Sequence, residues 1–184
     1  MMLSAEDLLQ LSGDGPAAAM AVQHEIERFV LREARLLDSE RYRDWYELLA
    51  DDLIYWAPLR ENRFRRDRTP ELSPDRVALF DETKASIDLR LKRLESGMAW
   101  AEDPATRHVY AVSNIEAFEY EADDHYEVHS VFSLYRNRAE RDASLLMGRR
   151  RDILRQTEGR YQVRARLILL QQATLLTKNL SVFF

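Results

Sequence analysis

Two groups of side chains in this 184-residue chain are of the types that carry out acid–base or metal chemistry. The first group is His125, Glu127 and His129, whose alternation places all three on one face of a predicted strand. Two imidazoles and a carboxylate are the ligand types of a non-haem iron site. However, strand geometry separates the two histidines by roughly 13 Å, which is too far for both to bind one ion unaided. We therefore expect these residues to lie on a solvent-facing strand edge.

The second group consists of His108 and the residues Asp51, Asp52 and Tyr55. His108 could act as a base in a pocket together with one of these three side chains. This set gives the alternative prediction of a stand-alone, metal-free dehydratase or isomerase. A binding module that takes up a ligand without turnover is the other alternative. A lone histidine near charged residues is more often structural. Both alternatives require an open pocket, so an interior filled by Trp and Tyr side chains would count against them.

The composition excludes several further classes of protein. The chain is 46% hydrophobic and 32% charged, with a formal net charge of -5. This balance predicts a soluble cytoplasmic domain that is not drawn to nucleic acid or to an anionic membrane. Cysteine is absent, so the chain forms no disulfide and supplies no thiolate ligand to an iron–sulfur cluster. Any such redox centre must lie on another chain.

The elements that position these groups fall into a helical half and a strand-rich half. Residues 1–19 are predicted to form an N-terminal arm that becomes ordered only when something docks it. A single domain is predicted for residues 20–184. It opens with a helix from about Met20, and Glu33 lies on the apolar face of that helix, where a carboxylate needs a partner. A second helix through Trp45 is predicted to end at Asp51 and Asp52. A strand over 53–59 and a helix capped by Asp81 follow.

Four strand-like segments occupy the second half of the chain, at 107–120, 126–137, 144–155 and 161–176. The order of elements predicts an α+β domain in which helices cover one face of a curved, mostly antiparallel sheet. Arginines recur in two of these strands and must find carboxylates or reach solvent. Glu33 and Asp152 are the candidate partners within the chain.

A second set of residues is suited to contact with another chain. The stretch 97–114 joins the two halves and combines an aromatic side chain, carboxylates, a proline and an arginine, which favours a shaped contact surface. The alternative is a capped helix-to-strand loop with its tryptophan in the core. The apolar residues at the end of the sequence are predicted to pack on the core or on a neighbouring chain. The candidate interface residues are Trp100, Glu102, Asp103, Pro104, Arg107, Arg149, Arg150 and Phe184.

Several motifs, taken in order from about Gln23 to Phe184, resemble the small, or beta, subunit of aromatic-ring-hydroxylating (Rieske-type) dioxygenases. The branch that acts on biphenyl, benzene or phenylpropionate is the most similar. The motifs are Arg32-Glu33-Ala34-Arg35-Leu36-Leu37-Asp38, Trp45, Tyr55 with Pro58 and Arg60, Phe80-Asp81-Glu82-Thr83, Trp100-Ala101-Glu102-Asp103-Pro104 with Arg107, Ser113-Asn114, Leu134-Tyr135-Arg136-Asn137-Arg138, Gly148-Arg149-Arg150 with Asp152 and Leu154-Arg155, and Asn179-Leu180-Ser181 with Phe184.

The resemblance implies the cone-like α+β fold shared with nuclear transport factor 2 and ketosteroid isomerase, called NTF2-like or cystatin-like. It also implies a non-catalytic subunit that binds no metal and assembles with a large alpha subunit, typically as α3β3. The alpha subunit of the family holds a Rieske [2Fe–2S] cluster and a mononuclear Fe(II), and a ferredoxin and reductase chain supplies electrons. The chain departs from the family after Arg107, where Val109 and Tyr110 replace the usual Arg and His, and at Gln171.

Overall fold

The computed structural model describes residues 3–62, 64, 66–96, 106–120, 124–138, 142–172, 174–175 and 180–184. Trp100, Glu102, Asp103 and Pro104 lie outside the described residues. The described part of the chain contains four helices and six strands. These are α1 (Ala5–Leu9), α2 (Met20–Asp38), α3 (Tyr42–Tyr46), β1 (Leu49–Pro58), β2 (Ala78–Glu82), α4 (Lys84–Glu95), β3 (Arg107–Glu119), β4 (His125–Arg138), β5 (Asp142–Thr157) and β6 (Arg160–Leu170).

The six strands form one sheet in the order β2–β1–β6–β5–β4–β3. All neighbouring pairs are antiparallel except β1 and β6, which run parallel. Helices α2 and α4 pack on one face, α2 against β3 and α4 against β1. The predicted α+β class with a curved, mostly antiparallel sheet is therefore confirmed. The main core lies between this face of the sheet and the helices, and it reaches from Ile26 to Phe184.

Helix α2 follows the predicted apolar stripe, with Ile26, Phe29, Val30 and Leu37 buried. Glu33 lies on the same stripe and is 0% exposed. A fully buried carboxylate is stable only with hydrogen-bonded, oppositely charged partners. Helix α2 thus carries a charge into the core that the rest of the fold must neutralise.

Several of the predicted boundaries are wrong, including that of the last strand, which ends at Leu170 and not at residue 176. The second helix ends at Tyr46, and Leu49 already begins β1, so Asp51 and Asp52 lie within a strand instead of ending a helix. The short strand β2 was not predicted. Asp81 belongs to this strand, and the N-cap of α4 is Thr83. Local caps and propensity did not identify β2 because five residues at a sheet edge gain their stability from pairing with β1.

The N-terminal arm packs on the outer face of the sheet, opposite α2 and α4. Leu3, Leu8 and Leu11 of the arm are buried in a second apolar cluster. The sheet contributes Trp56, Ile153, Ala165, Leu167 and Leu169 to this cluster. The Ser4 side chain accepts a hydrogen bond from the Asp7 N–H, and the Asp7 carboxylate accepts one from the Ser4 N–H, which caps the short helix α1. The arm is therefore docked by its own chain.

Candidate functional site

The interior of the cone is occupied by aromatic side chains, including those of the last residues of the sequence. The Phe183 ring lies 4.5 Å from the Trp45 ring, and the Phe184 ring lies 5.3 Å from the Phe132 ring, measured between centroids. The Tyr55 hydroxyl accepts a hydrogen bond from the Phe184 N–H at 2.6 Å and donates one to the Phe184 carbonyl oxygen at 3.0 Å. All five of these residues are buried. The interior around Tyr55 is thus filled by the chain itself.

An ion network lies next to these rings. Arg166 is 0% exposed and donates to both oxygens of Glu33, at 2.6 and 2.9 Å. It also donates to both oxygens of Asp152, at 2.9 and 2.8 Å. Arg150 donates a further bond to Glu33 at 3.2 Å, and the Trp45 indole N–H donates to Glu33 at 3.0 Å. Two arginines and two carboxylates thus balance in charge, as the sequence predicted for Glu33 and Asp152.

The electrostatics of the network keep the Glu33 carboxylate ionised. Burial by itself raises the pKa of Glu33, but the charges of Arg166 and Arg150 outweigh it and lower the pKa to about 2. Burial lowers the pKa of Arg166, yet Asp152 and Glu33 hold that pKa well above its ordinary value. A proton acceptor or donor for catalysis at neutral pH needs a pKa near the working pH. The network is therefore built for fixed charge and positioning.

The candidate acid–base residues of the alternative prediction are engaged elsewhere. Asp52 is exposed and accepts hydrogen bonds from Arg164 at 2.9 Å and from Arg155 at 3.3 Å. Tyr55 is fully buried, and this burial raises the pKa of its hydroxyl to about 12. His108 lies on β3, paired in register with Arg136 of β4. The space beside Tyr55 is occupied by Phe184, so this arrangement does not support proton transfer in an open pocket.

The group His125, Glu127 and His129 does not lie on a solvent-facing strand edge. Strand β4 is flanked by β3 and β5, and Glu127 is 7% exposed. Its carboxylate accepts a hydrogen bond from the Gly13 N–H of the arm at 2.8 Å and lies 2.6 Å from His129 Nε2. That expectation was wrong because the docked arm covers this part of the face. Among the described residues, no three or more His, Asp or Glu side chains are arranged to hold a metal ion.

The candidate interface residues divide between the surface and the interior. Arg107 and Arg149 are exposed on the outer face of the sheet, and neither pairs with a carboxylate among the described residues. Arg150 is 3% exposed and Phe184 is 1% exposed, because both contact groups of the same chain. Arg107 and Arg149 are therefore accessible at the surface, whereas Arg150 and Phe184 are not.

An apolar patch on the outer face was missed in the sequence. It consists of Val109, Tyr135, Leu145 and Met147, which are 44–58% exposed. In the sheet register, Val109 pairs with Tyr135 and Tyr135 pairs with Leu145, so these side chains form one row across three strands. None of these four residues belongs to the apolar cluster that the arm forms with the sheet. Alternation along β5 was the signal that could have placed Leu145 and Met147 on the same side as Arg149.

Tyr110 also has a role that the sequence did not indicate. This residue is one of the departures from the family pattern, and its hydroxyl donates to the Phe183 carbonyl oxygen at 2.7 Å. Its backbone N–H donates to the Asp38 carboxylate at 2.7 Å. Tyr110, which lies in β3, therefore bonds both to the end of α2 and to residue Phe183.

The fold defines a cone-shaped α+β domain in which Phe184 and its aromatic neighbours fill the interior beside Tyr55. Residues 32–177 match the family described as ring hydroxylating beta subunit. The chain belongs to this family of beta subunits of ring-hydroxylating dioxygenases, as the sequence motifs indicated.

Comparison with individual proteins agrees with this assignment. The chain is 41% identical over 167 residues to the beta subunit of biphenyl 2,3-dioxygenase from Rhodococcus jostii, covering 89% of each chain. It is 41% identical over 169 residues to the beta subunit of benzene 1,2-dioxygenase from Pseudomonas putida, covering 90% of each.

Solved structures give the same fold. A chain of naphthalene 1,2-dioxygenase with indole bound in its active site superposes with a TM-score of 0.85 at 22% identity. That match covers 99% of this chain and 95% of the other. A putative scytalone dehydratase from Novosphingobium aromaticivorans superposes with a TM-score of 0.60 at 17% identity, covering 83% of this chain and 86% of the other. Within the described residues, no helix is both long enough and apolar enough to cross a bilayer.

Proposed function

We propose that this chain is the non-catalytic, structural subunit of a multicomponent dioxygenase in the cytoplasm. The complete enzyme converts an arene to a cis-dihydrodiol with dioxygen and NADH-derived electrons. Relatives named for biphenyl and benzene support an arene as the substrate. The observation that carries the structural role is the filled interior, where Phe184 lies against Tyr55 and Arg166. Phe184 thus occupies the position beside Tyr55 and Arg166 that a substrate bound to these two side chains would need.

The redox centres of the enzyme belong to the large alpha subunit in this proposal. A Rieske cluster requires cysteine ligands on one of its irons, and this chain contains no cysteine. The alpha subunit holds that [2Fe–2S] cluster and the mononuclear Fe(II) that activates dioxygen. A ferredoxin and a reductase deliver electrons to the alpha subunit, so they are indirect partners of this chain. No nucleic acid or membrane takes part.

The assembly proposed is an α3β3 hexamer with cyclic symmetry. Two features support the outer face of the sheet as part of its assembly surface. Arg107 and Arg149 are exposed there without carboxylate partners among the described residues, and an exposed apolar patch lies between them. Exposed apolar patches rimmed by charge are typical of subunit contacts. We propose that this face acts together with Trp100, Glu102, Asp103 and Pro104.

The test is purification of the complex from its native host through a tag on this chain, followed by measurement of its mass and iron content. The proposal is supported if a larger protein is recovered in a 1:1 ratio with this chain and the complex holds about three irons per pair of chains. A Rieske cluster holds two irons, and the mononuclear site holds one. Light scattering gives the total mass, and atomic emission gives the iron content. A metal-free assembly of this chain alone would overturn the proposal and lead back to an activity of Asp52, Tyr55 or His108.

A further inference from the structure

The residues 180–184 are bound inside the domain in the way a protein binds a peptide. Side chains of other elements donate hydrogen bonds to the carbonyl oxygens of Leu180, Val182, Phe183 and Phe184. Arg90 donates to the Leu180 and Val182 carbonyl oxygens at 3.4 and 3.2 Å. Tyr110 donates to the Phe183 carbonyl oxygen at 2.7 Å. In the described part of the chain, no strand pairs with this segment. It is therefore recognised by a pocket and not by addition to the sheet.

The pocket around Phe184 recognises each chemical part of a phenylalanyl group. The ring packs against those of Phe80 and Phe132, with centroid distances of 6.0 and 5.3 Å. The amide N–H donates to the Tyr55 hydroxyl at 2.6 Å. The carbonyl oxygen accepts bonds from that hydroxyl at 3.0 Å and from Arg166 Nη1 at 2.7 Å. An apolar slot, one acceptor and two donors are thus arranged around one residue.

The walls of this pocket are held by contacts that do not involve residues 180–184. Arg166 is fixed by hydrogen bonds to both oxygens of Glu33 and of Asp152. Tyr55 lies in β1, paired with Glu82 of β2 on one side and with Arg166 of β6 on the other. Groups that are held in place by such neighbours form a preorganised binding site. Removal of Phe184 would leave these donors in position and without an acceptor.

We propose that the interior of the cone is a binding site for an N-acylated aromatic amino acid, or for the aromatic end of a peptide, and that residues Val182–Phe184 occupy it in cis. This site goes beyond the proposed function, although both start from the same observation, that Phe184 fills the interior beside Tyr55 and Arg166. A separate ligand has to offset its own loss of rotational and translational freedom, so its dissociation constant is expected on the order of 1 mM.

The experiment compares the intact chain with a variant lacking Val182–Phe184, each purified in its host assembly. The probe is N-acetyl-L-phenylalaninamide, and the controls are its D-enantiomer and N-acetyl-L-alaninamide. We expect calorimetric binding of the L-phenylalanine probe to the shortened chain and none to the intact chain. Tyr55→Phe in the shortened chain should weaken binding about thirtyfold, because it removes both hydrogen bonds that the hydroxyl makes to the bound group, each contributing about 1 kcal/mol. Equal binding of both enantiomers, binding to the intact chain, or no binding to a folded shortened chain would overturn the proposal.

A second variant keeps the proposal testable if the shortened chain does not fold. Phe184→Gly leaves the backbone contacts in place and empties only the slot beside Phe80 and Phe132. Apolar cavities of this kind take up small aromatic molecules. Toluene should therefore raise the thermal midpoint of Phe184→Gly but leave that of the intact chain unchanged. Leu91→Ala, at a fully buried leucine of α4 in the main core, is the control cavity. If toluene stabilises Leu91→Ala as much as Phe184→Gly, or stabilises neither, the slot has no selectivity for an aromatic group.

Discussion

Arg166 and Glu33 form a two-bond ion pair in the centre of the core, with donor–acceptor distances of 2.6 and 2.9 Å and no solvent exposure of either side chain. The two residues are far apart in sequence and come from β6 and α2. Paired charges that are withdrawn from water cost a large desolvation energy unless their hydrogen bonds are complete. The pair therefore fixes how the long helix sits on the sheet.

This pair makes acid unfolding of the chain steep below pH 4.5. The ordinary pKa of Glu33 is 4.5, and the folded value is about 2. A carboxyl group whose pKa is lowered on folding contributes stability above its unfolded pKa and loses that contribution as the pH falls through its folded pKa. The expected loss between pH 4.5 and 2 is about 3 kcal/mol, from about 1.4 kcal/mol per pKa unit.

Urea unfolding of the isolated chain at several pH values measures this loss. Glu33→Gln should remove most of the pH dependence in that window and lower stability at neutral pH. Glu95→Gln is the matched control, because Glu95 pairs with Arg43 at the surface. An unchanged pH profile in Glu33→Gln would show that another group controls acid unfolding.

The two buried arginines should differ in their contribution to stability. Arg166 serves both Glu33 and Asp152, whereas Arg150 donates only to Glu33 among the carboxylates of the described residues. Arg166→Met should cost about 3–5 kcal/mol, the usual loss when one partner of a buried pair is removed. Arg150→Met should cost less, because Arg166 still neutralises Glu33. Denaturant midpoints at pH 7 measure the loss of stability in each variant. Equal losses in the two variants would contradict a network centred on Arg166.

Release of the N-terminal arm is expected to be a local event. Leu8→Ala removes a fully buried side chain from the outer apolar cluster, which costs about 2–5 kcal/mol at a buried leucine. Hydrogen exchange at the Gly13 N–H, which bonds to Glu127, should then quicken, while exchange in β1 and β6 stays slow. Leu89→Ala is the matched control, because Leu89 is 67% exposed on α4. Equal loss of protection throughout the sheet would instead show that the arm and the core unfold together.

Changes at the proposed assembly surface should weaken the complex more than the fold of this subunit. Trp100→Ala or Arg107→Ala is expected to cost about 2–4 kcal/mol in assembly, as for a buried aromatic or paired arginine anchor. Sedimentation of the complex measures this effect, and thermal unfolding of the isolated chain gives the comparison. Arg160→Ala is the control, since Arg160 is an exposed arginine at the start of β6. Assembly that is unchanged in both variants would show that these residues are not anchors.

Part of this structure could be predicted because its signals are local. The 3.6-residue period gave α2, and the same period placed Glu33 on the apolar face and so predicted its need for a charged partner. That the partner is Arg166 depends on the strand order of the sheet, because β6 lies at its centre between β1 and β5. Sequence patterns do not fix which distant strands are neighbours.

Other features depend on tertiary contacts that leave no local periodicity. Phe184 was expected on a core or at an interface, and its place beside Tyr55 follows from side-chain hydrogen bonds. The burial of Glu127 depends on the arm, which docks from more than a hundred residues away in sequence. In both cases the position of the segment is set by a distant surface, and not by its own propensity.

The parallel pairing of β1 with β6 has a consequence for the time course of folding. Strands β3 to β6 are antiparallel neighbours in chain order, so they can form through short connections. Strand β1 must wait, because Tyr55 pairs with Arg166 and this contact closes a long loop. During synthesis, residues 49–58 and the helices that precede them therefore leave the ribosome before their partner strand exists. The apolar face of α2 stays uncovered during this interval, and it is then that chaperone binding would protect the nascent chain.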